Sequence, residues 1–147
     1  MVAFEIPSTY GYVIGTGILS AVLNVYLGIQ VGRQRKVANV HYPYLYADKA
    51  EAESDSKKKL FNCYQRAHQN YLEGYASFLM VLFVGGLKYP EINSAAGAVY
   101  LLGRIVYARG YQTGDPSKRQ RGSFAYLGLL TMVGTTIATA VSLVNSA

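Results

Sequence analysis

The sequence predicts an all-α fold, a transmembrane bundle of four helices. Three observations lead there. Residues 10–31, 74–87 and 123–147 contain no Asp, Glu, Lys, Arg or His. About 20 apolar residues suffice to cross a hydrocarbon core roughly 30 Å thick. Charge then interrupts the apolar pattern: Arg66, His68 and Glu73 open the second segment and Arg104 sits inside the third. Charge at membrane depth is costly and faces a bundle interior or a wet cavity. The pattern therefore predicts a polar site rather than a plain anchor. Composition agrees, because charged residues are only 15% of the chain, against roughly 25% in a soluble domain.

A single domain, residues 1–147, holds the four helices. The first spans about 10–35, after Pro7-Ser8-Thr9, which supplies a helix cap. The second spans about 60–87. The acid-then-base run 51–59 before it reads as a solvated connector or a frayed helix end. Lys88-Tyr89-Pro90 is a tight turn, since proline cannot continue a helix. The third helix spans about 92–112. Gly114-Asp115-Pro116-Ser117 is a turn, and the fourth helix spans about 118–143. Small residues such as Gly15, Gly97, Gly103 and Gly128 suit close helix packing.

Basic residues are distributed unevenly over the loops. Arg33, Arg35, Lys36, Lys49 and Lys57 to Lys59 lie between the first two segments, and Arg109, Lys118, Arg119 and Arg121 lie at or after the end of the third. The opposite side has only Lys88. The positive-inside rule places the basic loops in the cytosol and both termini across the membrane. No basic residue precedes Arg33, so the first segment is expected to be retained rather than cleaved as a secretory signal. The pI near 9.4 does not indicate nucleic acid, because the aromatics lie on apolar segments and not among the basic runs.

The single cysteine, Cys63, excludes an internal disulfide and is expected to be a small buried thiol. His41 and His68 have no cysteine or carboxylate at metal-ligand spacing, so no metal is expected. No glycine-rich phosphate loop follows a strand.

The polar residues of the second and third helices share faces. At 100° per residue, with Arg66 at zero, Asn70 falls near about 40°, Glu73 near about −20° and Gln69 near about −60°. His68 lies almost opposite. With Arg104 at zero, Tyr100, Tyr107 and Tyr111 fall within about 60° of it. Two such faces make a pocket of guanidinium, carboxylate, amide and phenol groups. An anionic or zwitterionic ligand suits it, because an arginine fork matches a carboxylate. The same spacing equally serves a buried Arg66–Glu73 or Arg104–Glu73 pair that only locks helices together. Replacing such pairs by apolar residues is often neutral.

At these residues the chain resembles the MAPEG family, the membrane-associated proteins of eicosanoid and glutathione metabolism. The resemblance lies in 66–73 (RAHQNYLE), 103–111 (GRIVYARGY) and 116–122 (PSKRQRG). Val40-His41-Tyr42-Pro43 and Gly134-Thr135-Thr136 point to its type 3 microsomal glutathione S-transferase subgroup. The resemblance implies a four-helix bundle assembling as a homotrimer, with glutathione bound between subunits near the cytosolic helix ends. It implies glutathione contacts from Arg66, Asn70 and Glu73, from Arg104, Tyr107 and Tyr111, from Arg35 at the end of the first helix, and weakly from His68. The thiol-activating residue it implies is Arg119. Arg121 is the alternative, because this chain has one more residue after Tyr111 than the leukotriene-forming relatives. The implied activity is transfer of glutathione thiolate to lipophilic electrophiles, leukotriene-C4-synthase-like conjugation included, or reduction of lipid hydroperoxides. The implied partners are glutathione as co-substrate, the second substrate and membrane lipids. The implied location is the endoplasmic reticulum membrane, with the outer mitochondrial membrane a further site. Two other readings stay open: a non-catalytic lipid-binding scaffold of the same fold, and an unrelated channel subunit lined by Arg104 and Glu73.

Overall fold

A computed structural model of the chain describes residues 5–145. The chain ends, expected across the membrane, lie outside the described residues. Helices α1 (Tyr10–Ala38), α2 (Lys49–Ser54), α3 (Ser56–Gly86), α4 (Pro90–Tyr111) and α5 (Ala125–Asn145) follow in order, with a 3-10 helix, Pro116–Gly122, before α5. No strand occurs among the described residues.

Local chemistry sets most of the ends. Past Ala38, Asn39 takes φ 51°. Its N–H donates to the Lys36 carbonyl, and that of Val40 donates to the Arg35 carbonyl. This is the paired capping bond that closes a helix through one left-handed residue. The run 51–59, expected to be a connector, divides at Asp55. α2 ends there, and the Asp55 carboxylate accepts from the Lys57 N–H at 2.8 Å, capping α3. Pro90 does not lie outside α4 but is its first residue, where a missing N–H costs nothing.

The fourth long helix begins at Ala125, not near residue 118. Asp115 accepts from the Ser117 N–H and hydroxyl, and Pro116 fixes the first φ of the 3-10 helix. Those same bonds, the hydroxyl's first, hold the Asp115 carboxyl below its ordinary range.

The residues form two compact units. One contains the described residues up to Ser20, Tyr75–Leu102 and those from Phe124 onward. Its core holds Val13, Phe78, Leu82 and Met132, and the Phe78 and Tyr100 rings stack at 4.6 Å. Asn93 is fully buried. Its amide nitrogen donates to the Val81 and Leu82 carbonyls at 2.9 and 2.6 Å, and its oxygen accepts from the Thr135 hydroxyl. Thr136 donates to the Val81 carbonyl at 3.1 Å. Side-chain hydrogen bonds thus join α3, α4 and α5 where apolar packing alone would leave the helices free to slide.

The other unit contains Ala21–Gly74 and Gly103–Ser123. Phe61, Val31, Ala38, Val40 and Ala47 form its core. The Asn62 amide exchanges two 2.9 Å hydrogen bonds with the Ala47 backbone and fixes the loop to α3.

α1 and α5 are long and apolar enough to cross a membrane, with mean hydropathy 1.7 and 1.9. Their exposed side chains include Ile18, Val22, Val25, Leu130, Ile137 and Val141. A surface of that kind suits lipid tails better than water. The two further crossings expected from the sequence fall on α3 and α4. These helices carry the charged residues, Lys57 to Lys59, Arg66 and Glu73 on one, and Glu91, Arg104 and Arg109 on the other.

Candidate functional site

The polar side chains gather in the second unit. On α3, Arg66 and Glu73 stand two turns apart and pair through both guanidinium nitrogens, at 2.7 and 3.3 Å. Their side chains remain 41% and 48% exposed. Both belong to one helix, so this pair locks no two helices together. An exposed ion pair contributes at most about 1 kcal/mol to stability. The pair presents one cation and one anion side by side on an open face.

Asn70 links this pair to α4: its side chain is a hydrogen-bond partner of Glu73 and also reaches Arg104. Its side-chain oxygen accepts from the Arg104 Nη2 at 2.6 Å. The Arg104 guanidinium lies 4.6 Å over the Tyr107 ring and 5.9 Å over that of Tyr71. Aromatic faces stabilise a poorly hydrated cation. One donor is left over, because the buried Nε of Arg104 has no hydrogen-bond partner. An unpaired buried donor costs about 1–3 kcal/mol.

Tyr107 leads on to Tyr111, with ring centroids 5.7 Å apart. Tyr111 in turn lies 5.6 Å below the Arg119 guanidinium, which also donates to the Pro116 carbonyl at 2.9 Å. Only one of the five arginine donors is used in that bond. The Tyr107 phenol is within electrostatic reach of Arg66, Arg104 and Arg119 together, and Glu73 is within reach of Arg104. Seven of the residues expected from the sequence therefore share one constellation: Arg66, Asn70, Glu73, Arg104, Tyr107, Tyr111 and Arg119. Arg121, on the same 3-10 helix, is exposed.

Two expected contacts stand elsewhere. Arg35 is 7% exposed and donates to the Val40, Tyr44 and Leu45 carbonyls, at 3.4, 2.6 and 3.4 Å. Tyr42 and Phe61 flank its guanidinium at 4.5 and 4.7 Å. It holds the loop after α1 in place. His68 shares a 2.9 Å hydrogen bond with Asn24 and joins α3 to α1. Its position opposite Arg66 on the helical wheel accounts for that.

Tyr71 escaped the sequence analysis. It lies about 140° from Arg66 on the wheel, outside the polar face, yet under Arg104. The signal that could have found it is the α4 face. A buried arginine needs a ring or an acceptor from the neighbouring helix, and Asn70 and Tyr71 are adjacent candidates.

Three guanidinium groups and one carboxylate give this face a net positive charge. A face of that kind suits an anionic or zwitterionic ligand. The chain is 32% identical to human (Homo sapiens) microsomal glutathione S-transferase 2 over 122 residues, covering 80% of this chain and 75% of that protein. It is 30% identical to the bovine (Bos taurus) microsomal glutathione S-transferase 2 over 130 residues, covering 88% and 80%. The model of the MAPEG family matches residues 13–141. The chain is a membrane protein and belongs to the MAPEG family.

Proposed function

We propose that this chain is a membrane-bound glutathione transferase, acting as a homotrimeric bundle of four crossing helices in the endoplasmic reticulum membrane, its active side in the cytosol. The observation that carries the reading is the open Arg66–Glu73 pair beside the Arg104–Tyr107–Tyr111–Arg119 chain. A zwitterion can insert into such a pair without stranding a charge. Its carboxylate takes Arg66 and its ammonium takes Glu73, so each lost contact is replaced by one of the same sign. The second carboxylate of glutathione then suits Arg104. The similarity to two glutathione transferases over most of the chain supports the same ligand.

Thiol activation falls to Arg119. A thiol with a pKa near ~8.5 is mostly protonated at neutral pH. A guanidinium within about 4 Å favours the thiolate. Arg119 rather than Arg121 is the residue stacked on Tyr111. The thiolate attacks carbon of an epoxide or activated alkene, the ring or double bond opens, and the resulting anion takes a proton from water. With a lipid hydroperoxide it attacks one peroxide oxygen. The O–O bond breaks, the alkoxide leaves and is protonated, and the sulfenic acid of glutathione condenses with a second glutathione to give the disulfide and water. The lipophilic substrate arrives from the bilayer along apolar helix surfaces.

Titration of glutathione into the detergent-purified protein tests the reading. Saturable binding that is lost in Arg66→Ala is expected; no binding at millimolar glutathione would exclude a transferase. The topology is tested separately. In a Cys63→Ser background, cysteines at Ser54 and Ser146 should label from opposite sides of sealed vesicles. Labelling of both from one side would rule out four crossings.

A further inference from the structure

The guanidinium of Arg119 is useful only if the short 3-10 helix that carries it is held in place. That helix, Pro116–Gly122, has no long run of its own hydrogen bonds to stiffen it. Its only buried residue is Gly122. Two glycines, one on each side of the contact, let its backbone lie directly on α4. A Cβ added at Gly110 of α4 would fall well under 3.0 Å from the Lys118 carbonyl and 3.0 Å from the Arg119 nitrogen. A Cβ added at Gly122 would fall under 3.0 Å from the Gly103 carbonyl oxygen and the Tyr107 nitrogen. In both cases the obstacle is backbone, which cannot rotate away as a flexible side chain can. Neither glycine has a left-handed φ. What these positions require is the lack of a side chain, not glycine's conformational freedom.

The two contacts bracket Arg119. One lies at residues 118–119, the other at residue 122, and both land on the stretch of α4 that carries Tyr107 and Tyr111. We propose that Gly110 and Gly122 are positioning residues for the thiol-activating step: by admitting the 3-10 helix backbone onto α4, they set where the Arg119 guanidinium stands relative to Tyr111 and the substrate sulfur. The inference rests on the thiol-activating reading of Arg119. Relieving the Gly110 clash moves the 118–119 backbone outward by about 1 Å, and displacement of that size at a reacting centre can cost about a hundredfold. Arg66, Asn70 and Glu73 stand on α3, clear of both contacts, so their hold on glutathione is little affected; the Gly122 contact adjoins Arg104 and Tyr107, which makes Gly110→Ala the cleaner variant.

The test uses the full-length protein and reads three quantities: turnover at saturating glutathione, the KM for glutathione, and the pH midpoint of thiolate absorbance in the glutathione complex. Gly110→Ala is expected to lower turnover at least about tenfold and to move the thiolate midpoint up toward that of free glutathione. KM should stay within about threefold. Gly122→Ala should shift the midpoint in the same direction and serves where Gly110→Ala does not fold. A merely structural role would lower stability or raise KM without moving the midpoint, and that result in a folded variant would overturn the inference. Arg119→Ala run alongside separates the two failures. If Arg119→Ala raises the midpoint and neither glycine variant does, the positioning inference alone is wrong. If Arg119→Ala leaves the midpoint unchanged, the reading of Arg119 falls and the inference falls with it.

Discussion

Glu73→Ala should raise the glutathione requirement roughly ten- to a hundredfold while the protein still folds. The size follows from the interaction lost: a hydrogen bond to a charged group contributes about 1.5–3 kcal/mol, and about 1.4 kcal/mol is a factor of ten. Folding survives because the Arg66–Glu73 pair lies on one helix with both side chains nearly half exposed, where such a pair adds little to stability. Arg66→Ala should act similarly, through the carboxylate it no longer holds. Asn70→Ala is different in kind. Asn70 is the hydrogen-bond partner of Arg104, whose Nε already lacks one, so its removal should raise the glutathione requirement and lower the thermal midpoint together. His68→Ala should leave KM within about threefold, because its bond runs to Asn24. Isothermal titration and steady-state kinetics on the four variants check this. A large KM effect in His68→Ala with none in Glu73→Ala would sink the assignment.

The helical character of the chain was legible because it depends on local pattern. Residues 10–31 and 123–147 carry no charge; α1 covers the first and runs on to Ala38 through Arg33, Arg35 and Lys36, and α5, Ala125–Asn145, falls within the second. The clustering of Arg66, Asn70 and Glu73 was legible for the same reason, since a 3.6-residue period fixes which side chains share a face. What the period could not show is how that face divides. Asn70 joins Arg104 to Glu73 while the Arg66–Glu73 pair stays open, and only the placement of α4 decides it. Arg35 was read as a ligand contact from its position at the end of the first helix. In the fold three backbone carbonyls of the following loop take its donors. No sequence spacing encodes a bond to a carbonyl, because every residue has one. The start of the fourth long helix was missed on similar grounds. Residues 118–121 are good helix formers, yet they stand in a 3-10 helix that ends at Gly122, close against the α4 backbone, and a turn separates it from Ala125.

Arg119→Ala should lower turnover at least about tenfold, about 1.4 kcal/mol in the barrier, with glutathione binding less affected. The split between the two quantities is the informative part. Arg119 sits at the end of the Arg104–Tyr107–Tyr111 chain and stands on the 3-10 helix, whereas the Arg66–Glu73 pair that would hold the peptide stands on α3. Its charge matters most where negative charge builds up, on the sulfur. Removing it should therefore weaken thiolate absorbance near neutral pH and raise the apparent thiol pKa. A plainer role competes with this one: Lys118, Arg119 and Arg121 could be three head-group cations of the positive-inside kind. Any cation would serve there, so Arg119→Lys would be near neutral and Arg121→Ala would match Arg119→Ala. The geometry distinguishes the two arginines, and variants separate the two roles. Arg119 lies over an aromatic ring and is tied to the Pro116 carbonyl, whereas Arg121 is exposed. A planar guanidinium stacked on a ring is poorly replaced by an ammonium, so Arg119→Lys should recover only part of the turnover. If Arg121→Ala raises the thiol pKa and Arg119→Ala does not, the activating role moves two residues along the chain. If neither does, thiol activation by the 3-10 helix is refuted.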